Sequence, residues 1–482
     1  MAWLDQLDDY VDVRTHGAVL DGVTDDTDAF ISAATAANNG CGKLFIPPVS
    51  ISYSAEGGLL LSPIEASWRR LTIFGVNQSG FNSGVYNKVS RIKLKGSSTD
   101  SLFTLLGDGS TTAQNLRFSG LMLDGNEAAQ GAVTSHGIYL PTVAAGEDSF
   151  VEIEHCYLKN FVSDCINSEY GRRATKVVDC KLWESRNGWY CASSDGWLDK
   201  CDIGRMSEDG IQVHDWTMAI TGNNIFSCRN GVNLFAGEAS ITSIIGNRFD
   251  RHQFSGVRAQ GSYAAIVGNL FHRNSESGTS NAAHINVGGT FTTISGNTFR
   301  NGAGGGFLAS YDIFLEADVG ATIGANATDG RGNSSTFGHI GRSSGSRVRL
   351  SYGEYDQSPR SYVQEAVDSS TSTAYTVLAA AFRNEIIRRT GSPAAGVTDT
   401  TDTAANIVAD LGVSFSILNN SIGSAIRFRY INQTGQTITL QGGSGVTVTG
   451  TATIANNTWR DFTLNINSST AVTILNCGSG AL

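Results

Sequence analysis

The stretch NNIFSCRNGVNLF (223–235) and the stretch NRFDRHQFSGVRA (247–259) are one pattern written twice. The pattern fills the chain from Phe150 to Arg300: Cys156-Tyr-Leu158, Cys180-Lys-Leu182, Cys201-Asp-Ile203, Asn223-Asn-Ile225, Asn247-Arg-Phe249, Asn269-Leu-Phe271 and Asn297-Thr-Phe299. Its first position is Cys or Asn and its third is always large and apolar. Successive starts are 24, 21, 22, 24, 22 and 28 residues apart by subtraction. A second short strand follows at Cys165-Ile166, Gly188-Trp189, Gly210-Ile211, Gly231-Val232 and Gly256-Val257, and after a longer gap at Ile285.

A repeat of this length means one coil per repeat, stacked on its neighbours. Within the second strands Ile211, Val213, Val232, Leu234, Val257, Ala259, Ile285 and Val287 share one parity. Gln212, His214, Asn233, Phe235, Arg258, Gln260 and Asn286 share the other. Apolar and polar positions that alternate in short strands, with few helix signals between them, indicate a parallel β-helix. Coils stack about 4.8 Å apart, so the Cys/Asn position becomes a file running along the solenoid. Inward Asn side chains in such a file pair amides that burial would otherwise leave unsatisfied, while thiols tolerate the same apolar site.

Composition narrows the class. The chain has 482 residues, 40% hydrophobic and 16% charged, with 56 Gly and 6 Pro, which suits many tight turns and neither coiled coil nor disorder. A net charge of −10 argues against nucleic acid as a general partner. No apolar run reaches membrane-spanning length, and the start Met-Ala-Trp-Leu-Asp lacks the basic head and apolar core of a secretory signal. Six of the eight Cys lie between 156 and 228, mostly at strand positions, so reduced core thiols are expected. No zinc or calcium spacing is present, and no cofactor or metal is expected.

Upstream, Thr24, Asp25 and Asp28 surround the start of an Ala-rich run from Ala29 to Ala37, which reads as a helix N-terminus, and Asp21, Asp25 and Asp26 read as structural. Downstream of Ser369, strands at 426–430, 437–440, 446–449, 462–466 and 472–475 alternate between Gly and Asn turns, the pattern of an antiparallel β-sandwich. The expected division is a segment with the capping helix (1–42), a parallel β-helix (43–355) and a C-terminal β-sandwich (356–482).

The run Gly17-Ala-x-x-Asp21-Gly22-x-x-Asp25-Asp26-Thr27-x-Ala29, then Leu44-Phe-Ile-Pro47, resembles the entry motif of the pectate-lyase-like β-helix superfamily. It is especially similar to tailspike depolymerases of tailed bacteriophages. The stretch Leu116 to Asn126 resembles a strand motif of the same group, and residues 426–464 resemble the C-terminal domains of phage tail fibres and tailspikes. The resemblance implies an all-β chain with a right-handed parallel β-helix, a helix that blocks its open N-terminal end, and a homotrimer on a phage tail or baseplate. It implies a virion protein whose partner is bacterial surface polysaccharide, with no membrane insertion.

An outward face of rings and amides at coil spacing suits a sugar polymer. Candidate contacts are Tyr190, Trp216, Phe235 and Arg258, with Asp250, His272 and Arg273 after the first strand; Trp189 and Trp197 fit either the outward face or the interior. Hydrolysis needs two carboxyl groups, one to protonate the leaving oxygen and one to activate water or attack. Asp195, Asp215 and Glu238 lie 15, 14 and 15 residues after Cys180, Cys201 and Asn223 by subtraction, a catalytic file with His214 beside it. Glu208, with Arg186 and Arg229 at its position in flanking coils, is a further candidate, either catalytic or part of an ion-pair ladder. Asp209 reads as a turn residue. The Arg and His around Asp250, including His252, would suit a lyase instead: a cation for a uronate carboxylate and a base for its C5 proton. A glycan-binding fibre without catalysis and a trimeric structural spike with no glycan role are the remaining alternatives.

Overall fold

A computed structural model describes residues 9–51, 57–76, 86–106, 114–131, 134–142, 149–171, 173–192, 195–214, 217–235, 241–261, 263–275, 283–300, 309, 311–316, 320–324, 326–328, 338–342, 347–350, 366–368, 374–383, 386–414 and 425–481. The chain divides into two units: residues 1–316 with 326–341, and residues 317–325 with 342–482. The boundary expected after residue 355 lies outside the described residues.

In the first unit each coil supplies one strand to each of three parallel sheets. One coil runs Gly196–Asp199, Asp202–Gly204, Ile211–Val213, and the next begins at Met218–Thr221. Like residues pair across coils. Leu198, Ile220, Ile244, Ile266 and Ile294 follow one another in the first sheet. In the second sheet the file is Leu158, Leu182, Ile203, Ile225, Phe249, Phe271 and Phe299. In the third it is Ile166, Trp189, Ile211, Val232, Val257, Ile285 and Ile313. All are fully buried. Each removes most of its apolar surface from water, worth roughly 1.5–3 kcal/mol per side chain before entropy is counted. The Phe rings also stack, with centroids 4.9 Å apart at 13° and 5.2 Å at 22°.

The expected Cys/Asn file is continuous and lies at the corner between the first and second sheets. The Cys201 amide N–H donates to Asn223 Oδ1 (2.8 Å), Asn223 to Asn247 (2.9 Å), Asn247 to Asn269 (2.8 Å) and Asn269 to Asn297 (2.9 Å). The file has a further rung, since the Asn297 N–H donates to Asn326 Oδ1 (3.0 Å). All eight cysteines are free thiols.

The N-terminal end is covered by the helix Thr27–Asn39, which buries Phe30, Ala33, Ala34 and Ala37. The Phe30 ring lies 6.1 Å from Trp68 and 5.8 Å from Phe103. The acids before it are held in local bonds. Asp26 accepts from the N–H groups of Val19 (2.7 Å) and Leu20 (3.1 Å), and Asp21 from those of Val23 and Thr24. Asp25 accepts from Thr27 N–H and pairs with Lys95 at 2.8 Å.

The second unit contains two mixed sheets. The long antiparallel trio Ala425–Asn432, Thr458–Ser468 and Ala471–Ala481 follows the alternation read from the sequence. Ile386–Arg389 and Val446–Thr449 join its edges in parallel. In the smaller sheet Ile438–Gln441 pairs antiparallel with Thr453–Ile454 and parallel with Val397–Thr401. Parallel pairs need crossover connections, and one such connection carries the helix Ala404–Ser414. Phe382, Phe428, Phe462, Leu440, Leu464 and Ile474 form the core.

Candidate active site

The outward face of the third sheet carries the residues expected to meet a glycan. In register, Asn167, Tyr190, Gln212, Asn233, Arg258 and Asn286 form one file. Just beyond the strand ends, the His214 ring lies 4.4 Å from Tyr190 at 32° and 4.0 Å from Phe235 at 17°, a continuous stack of three rings. Burial, then the charges of Tyr170, Glu169 and Asp164, raise the Tyr190 phenol.

The corner entering this sheet holds a second polar file: Asp164, Asn187, Asp209, Asn230 and Ser255. The Asp209 N–H donates to Asn187 Oδ1 (2.9 Å), the Asn230 N–H to Asp209 Oδ1 (3.2 Å) and the Ser255 N–H to Asn230 Oδ1 (3.3 Å). Asp209, read as a turn residue, is buried. It also accepts from the amides of Asn230 (2.8 Å), Gln212 (3.0 Å) and Asn233 (2.8 Å). Asp164, fully buried, accepts from Asn167 and Asn187 at 2.8 Å each and faces His136 Nδ1 at 3.0 Å and Arg186 at 3.3 Å. Burial raises its carboxyl. Hydrogen bonding to His136, the charges of His136 and Arg186, and the Asn187 amide together outweigh that and hold it below the ordinary carboxylate range. His136 stacks on Tyr139 at 5.3 Å, and burial with a hydrogen bond to Glu169 pushes the Tyr139 phenol up to about 12.

Asn167 and Asn233 spend their amide NH₂ groups on these aspartates. Their Oδ1 atoms, and that of Asn286, are buried without a hydrogen-bond partner among the described residues. A buried acceptor left unpaired costs roughly 1–3 kcal/mol. Three of them stand in one file on one face.

Several sequence-predicted residues fall elsewhere. Asp215, Trp216 and Glu238 lie outside the described residues. The Thr175 N–H donates to Asp195 O, the Gly196 N–H to Thr217 O and the Met218 N–H to Ile241 O, so Asp195 stands in line with Thr217 and Ile241. Asp195 is exposed at the corner entering the first sheet. Connections change length from coil to coil: the turn into the third sheet is one residue longer after Gly204 than after Trp183, and the loop into the first sheet is longer after Leu234 than after Val213. Glu208 is half-buried and backbone-bonded between Arg186 and Arg229 as expected. Among the described residues no ion-pair ladder joins them: Arg186 turns to Asp164, and the Arg229 guanidinium lies 5.5 Å over the Phe254 ring.

Asp250, His272 and Arg273 stand on or beside the second sheet rather than with the ring stack. Asp250 is buried and accepts two bonds from Arg273 (3.1 and 2.8 Å), with Arg248 at 3.2 Å, His272 at 3.4 Å and Arg251 at 3.7 Å. Burial raises its carboxyl, and these cations more than reverse that. His272 is lowered by burial and by Arg273, Arg248 and Arg300, against the pull of Asp250. His252 points into the solenoid: its Nδ1 accepts from the Cys228 N–H (3.3 Å) and its Nε2 faces Ile225 O at 3.1 Å. Trp189 is interior and Trp197 is outward. The buried file at Asp164 and Asp209 was missed. Its signal was a polar residue recurring just before each second strand.

Among the described residues no group of three or more His, Cys, Asp or Glu is placed to hold a metal ion, and no helix is long and apolar enough to cross a membrane. Residues 164–314 match the family model for a right-handed β-helix region. Among solved structures, a DFA-IIIase of Arthrobacter chlorophenolicus A6 without its lid, in complex with GF2, aligns at TM-score 0.54 with 16% identity over 71% of this chain and 93% of its own. Full-length tailspike protein 2 from Escherichia coli O157:H7 bacteriophage CAB120 aligns at 0.53 with 15% identity over 76% of this chain and 48% of its own. The enzymatically active domain of tailspike protein 2 from bacteriophage CBA120 aligns at 0.51 with 15% identity over 66% and 47%. The chain thus spans about half the length of the tailspike structures it matches. No curated protein sequence matches it. At such identities the likeness is one of architecture, and it meets the expectation drawn from the entry motif: the chain winds a right-handed parallel β-helix of the form found in phage tailspikes and other β-helix enzymes.

Proposed function

We propose that this chain is the glycan-processing part of a phage tailspike, which binds and depolymerises a bacterial surface polysaccharide along the outward face of the third sheet. The observation that carries the reading is the ring stack Tyr190–His214–Phe235 beside the unpartnered buried oxygens of Asn167 and Asn233. The half-buried edges of the three rings form one apolar strip for a sugar polymer, and the polar file beside it supplies hydrogen-bonding groups. The reaction proposed is endo-glycosidic hydrolysis by paired carboxylates. Asp164 is held ionised, so it serves as an acceptor and not as the acid. The proton donor and its partner are drawn from Asp195, Asp215, Glu238 and Glu208, with His214, Trp216 and Arg258 as binding groups. Trimeric assembly, attachment to the tail or baseplate, a virion location and a trimerising, glycan-contacting role for the C-terminal unit belong to the same proposal.

The test is digestion of purified host polysaccharide by the full chain, with products sized and weighed by mass spectrometry. Asp195→Asn, Asp215→Asn, Glu238→Gln and Glu208→Gln are assayed alongside. Loss of an acid or base costs roughly 100-fold or more in rate, and full activity in all four variants rejects the assignment. A second reading, β-elimination of a uronate-containing polymer, is favoured by the Arg248, Arg251 and Arg273 cluster with His272 around Asp250. Products with the ultraviolet absorbance of an unsaturated uronate would select it. An unchanged polymer that still binds the protein would leave a glycan adhesin.

A further inference from the structure

The first sheet carries a different feature on its outward side. Lys176, Trp197 and Ala219 follow one another in register on three coils, as do Val178, Asp199 and Thr221 beside them. The coil after Trp197 offers only the methyl of Ala219, and the indole stays 43% exposed. Around it lies a hollow of about 520 Å³, lined by Phe150, Lys176, Val178, Trp197, Asp199 and Thr221 among others. It is an open depression on the face and not an enclosed cleft.

We infer that this hollow is a second saccharide-binding site, on a different sheet from the ring stack, that takes one or two neutral sugar residues of the same polymer. The inference rests on the polysaccharide reading above. An exposed indole beside Phe150 offers a flat apolar surface, and the rim offers both kinds of hydrogen-bonding group. Lys176 gives one of its three N–H donors to Glu152 (2.8 Å) and keeps the others. Asp199 takes one bond from the Thr221 hydroxyl (2.8 Å), lies 3.7 Å from Lys200, and has acceptor capacity left. Each charge at the rim already has a counter-ion, Lys176 in Glu152 and Asp199 in Lys200, which suits hydroxyls better than a charged ligand. Further along the same face Ile241, Ile245, Tyr263 and Phe291 are exposed with no charged residue among them, and the Tyr263 and Phe291 rings stack on each other at 5.0 Å and 7°. That part has the chemistry of a protein contact; the Trp197 hollow has the chemistry of a sugar site.

The experiment is binding of the full chain to an array of immobilised bacterial lipopolysaccharides and capsular polysaccharides. Wild type is compared with Trp197→Ala and with Ala219→Arg, which fills the hollow without removing the ring. Circular dichroism and sedimentation velocity are run on each protein. Binding to the polymers that capture wild type is expected to fall about fivefold to tenfold in both variants, as loss of one ring-stacking contact predicts, with fold and assembly unchanged. Wild-type capture that neither variant weakens overturns the second site and leaves the polysaccharide reading intact. Wild type captured by no polymer overturns both. Loss of assembly in either variant assigns the hollow to a subunit contact and overturns the inference.

Discussion

The two halves of the corner file solve one problem with different chemistry. In the half from Asn223 to Asn326 each step between rungs is made by two bonds, and a third ties the side chain to the backbone of the preceding coil. At Asn247 the backbone N–H and the side-chain Nδ2 both reach Asn269 Oδ1 (2.8 and 3.0 Å), while Nδ2 also reaches Ile220 O at 2.9 Å. The residue before each of the Asn rungs from 223 to 297 is a glycine with positive φ: Gly222, Gly246, Gly268 and Gly296. In the half from Cys156 to Cys201 the backbone N–H reaches a sulfur at 3.4 Å, a weak acceptor. There the left-handed position is filled by His155, Asp179 and Lys200. Burial and the neighbouring thiols push the Cys180 thiol well above its usual range. The difference teaches that the corner needs a compact inward side chain and a left-handed residue before it. Everything beyond that is strength.

Asn247→Ala tests this most severely. It strands the N–H and Nδ2 of Asn223 and removes both Nδ2 bonds of Asn247 itself. A loss of roughly 3–5 kcal/mol is expected. Cys180→Ala is expected to cost only about 1 kcal/mol, because a small apolar-tolerant group is replaced by another. Thermal unfolding of the two variants side by side decides, and equal shifts would erase the distinction between the halves.

The neighbouring file at His252 adds a pH dependence. Burial drives its imidazole down to about 4, and the Cys228 N–H requires Nδ1 to accept, so the ring is neutral with its proton on Nε2. The unfolded chain, with the ordinary value near 6.5, binds more protons between those limits, so stability is complete above about pH 6.5 and falls toward pH 4. The loss is expected to reach about 2–3 kcal/mol at pH 4. Unfolding midpoints measured from pH 7 to 4 should slope less steeply in His252→Asn. Identical slopes would remove His252 as the cause.

The smallest effect sharpens the comparison. Lys200→Gly relieves a left-handed side-chain residue, exposed and unneeded by the core, and should stabilise by about 0.5–1 kcal/mol. A destabilised variant would mean that the thiol half depends on more than its backbone angles.

The solenoid was legible because its signal is redundant: Ile211, Val232, Val257 and Ile285 repeat one parity coil after coil, and a single odd residue cannot hide it. The Asn326 rung escaped because Thr328 stands where the other coils have a large apolar residue. The corners were harder. Parity fixes in and out only within a strand, so His252 and Asp209 read as surface residues although both are buried. Asp195 lies 15 residues after Cys180 and Thr217, in line with it, lies 16 after Cys201 by subtraction, because the turn between the second and third sheets is one residue longer in the later coil; side-chain files are set by hydrogen-bonded register, not by count.

The rungs also have a direction. Each backbone N–H in the Asn file gives its hydrogen to the next coil toward the C-terminus, never to the one before. A corner is therefore complete only after its successor has wound. A chain leaving the ribosome carries one unfinished corner at its growing tip, and that tip offers its free amides to whatever strand arrives next, whether its own following coil or a neighbour's.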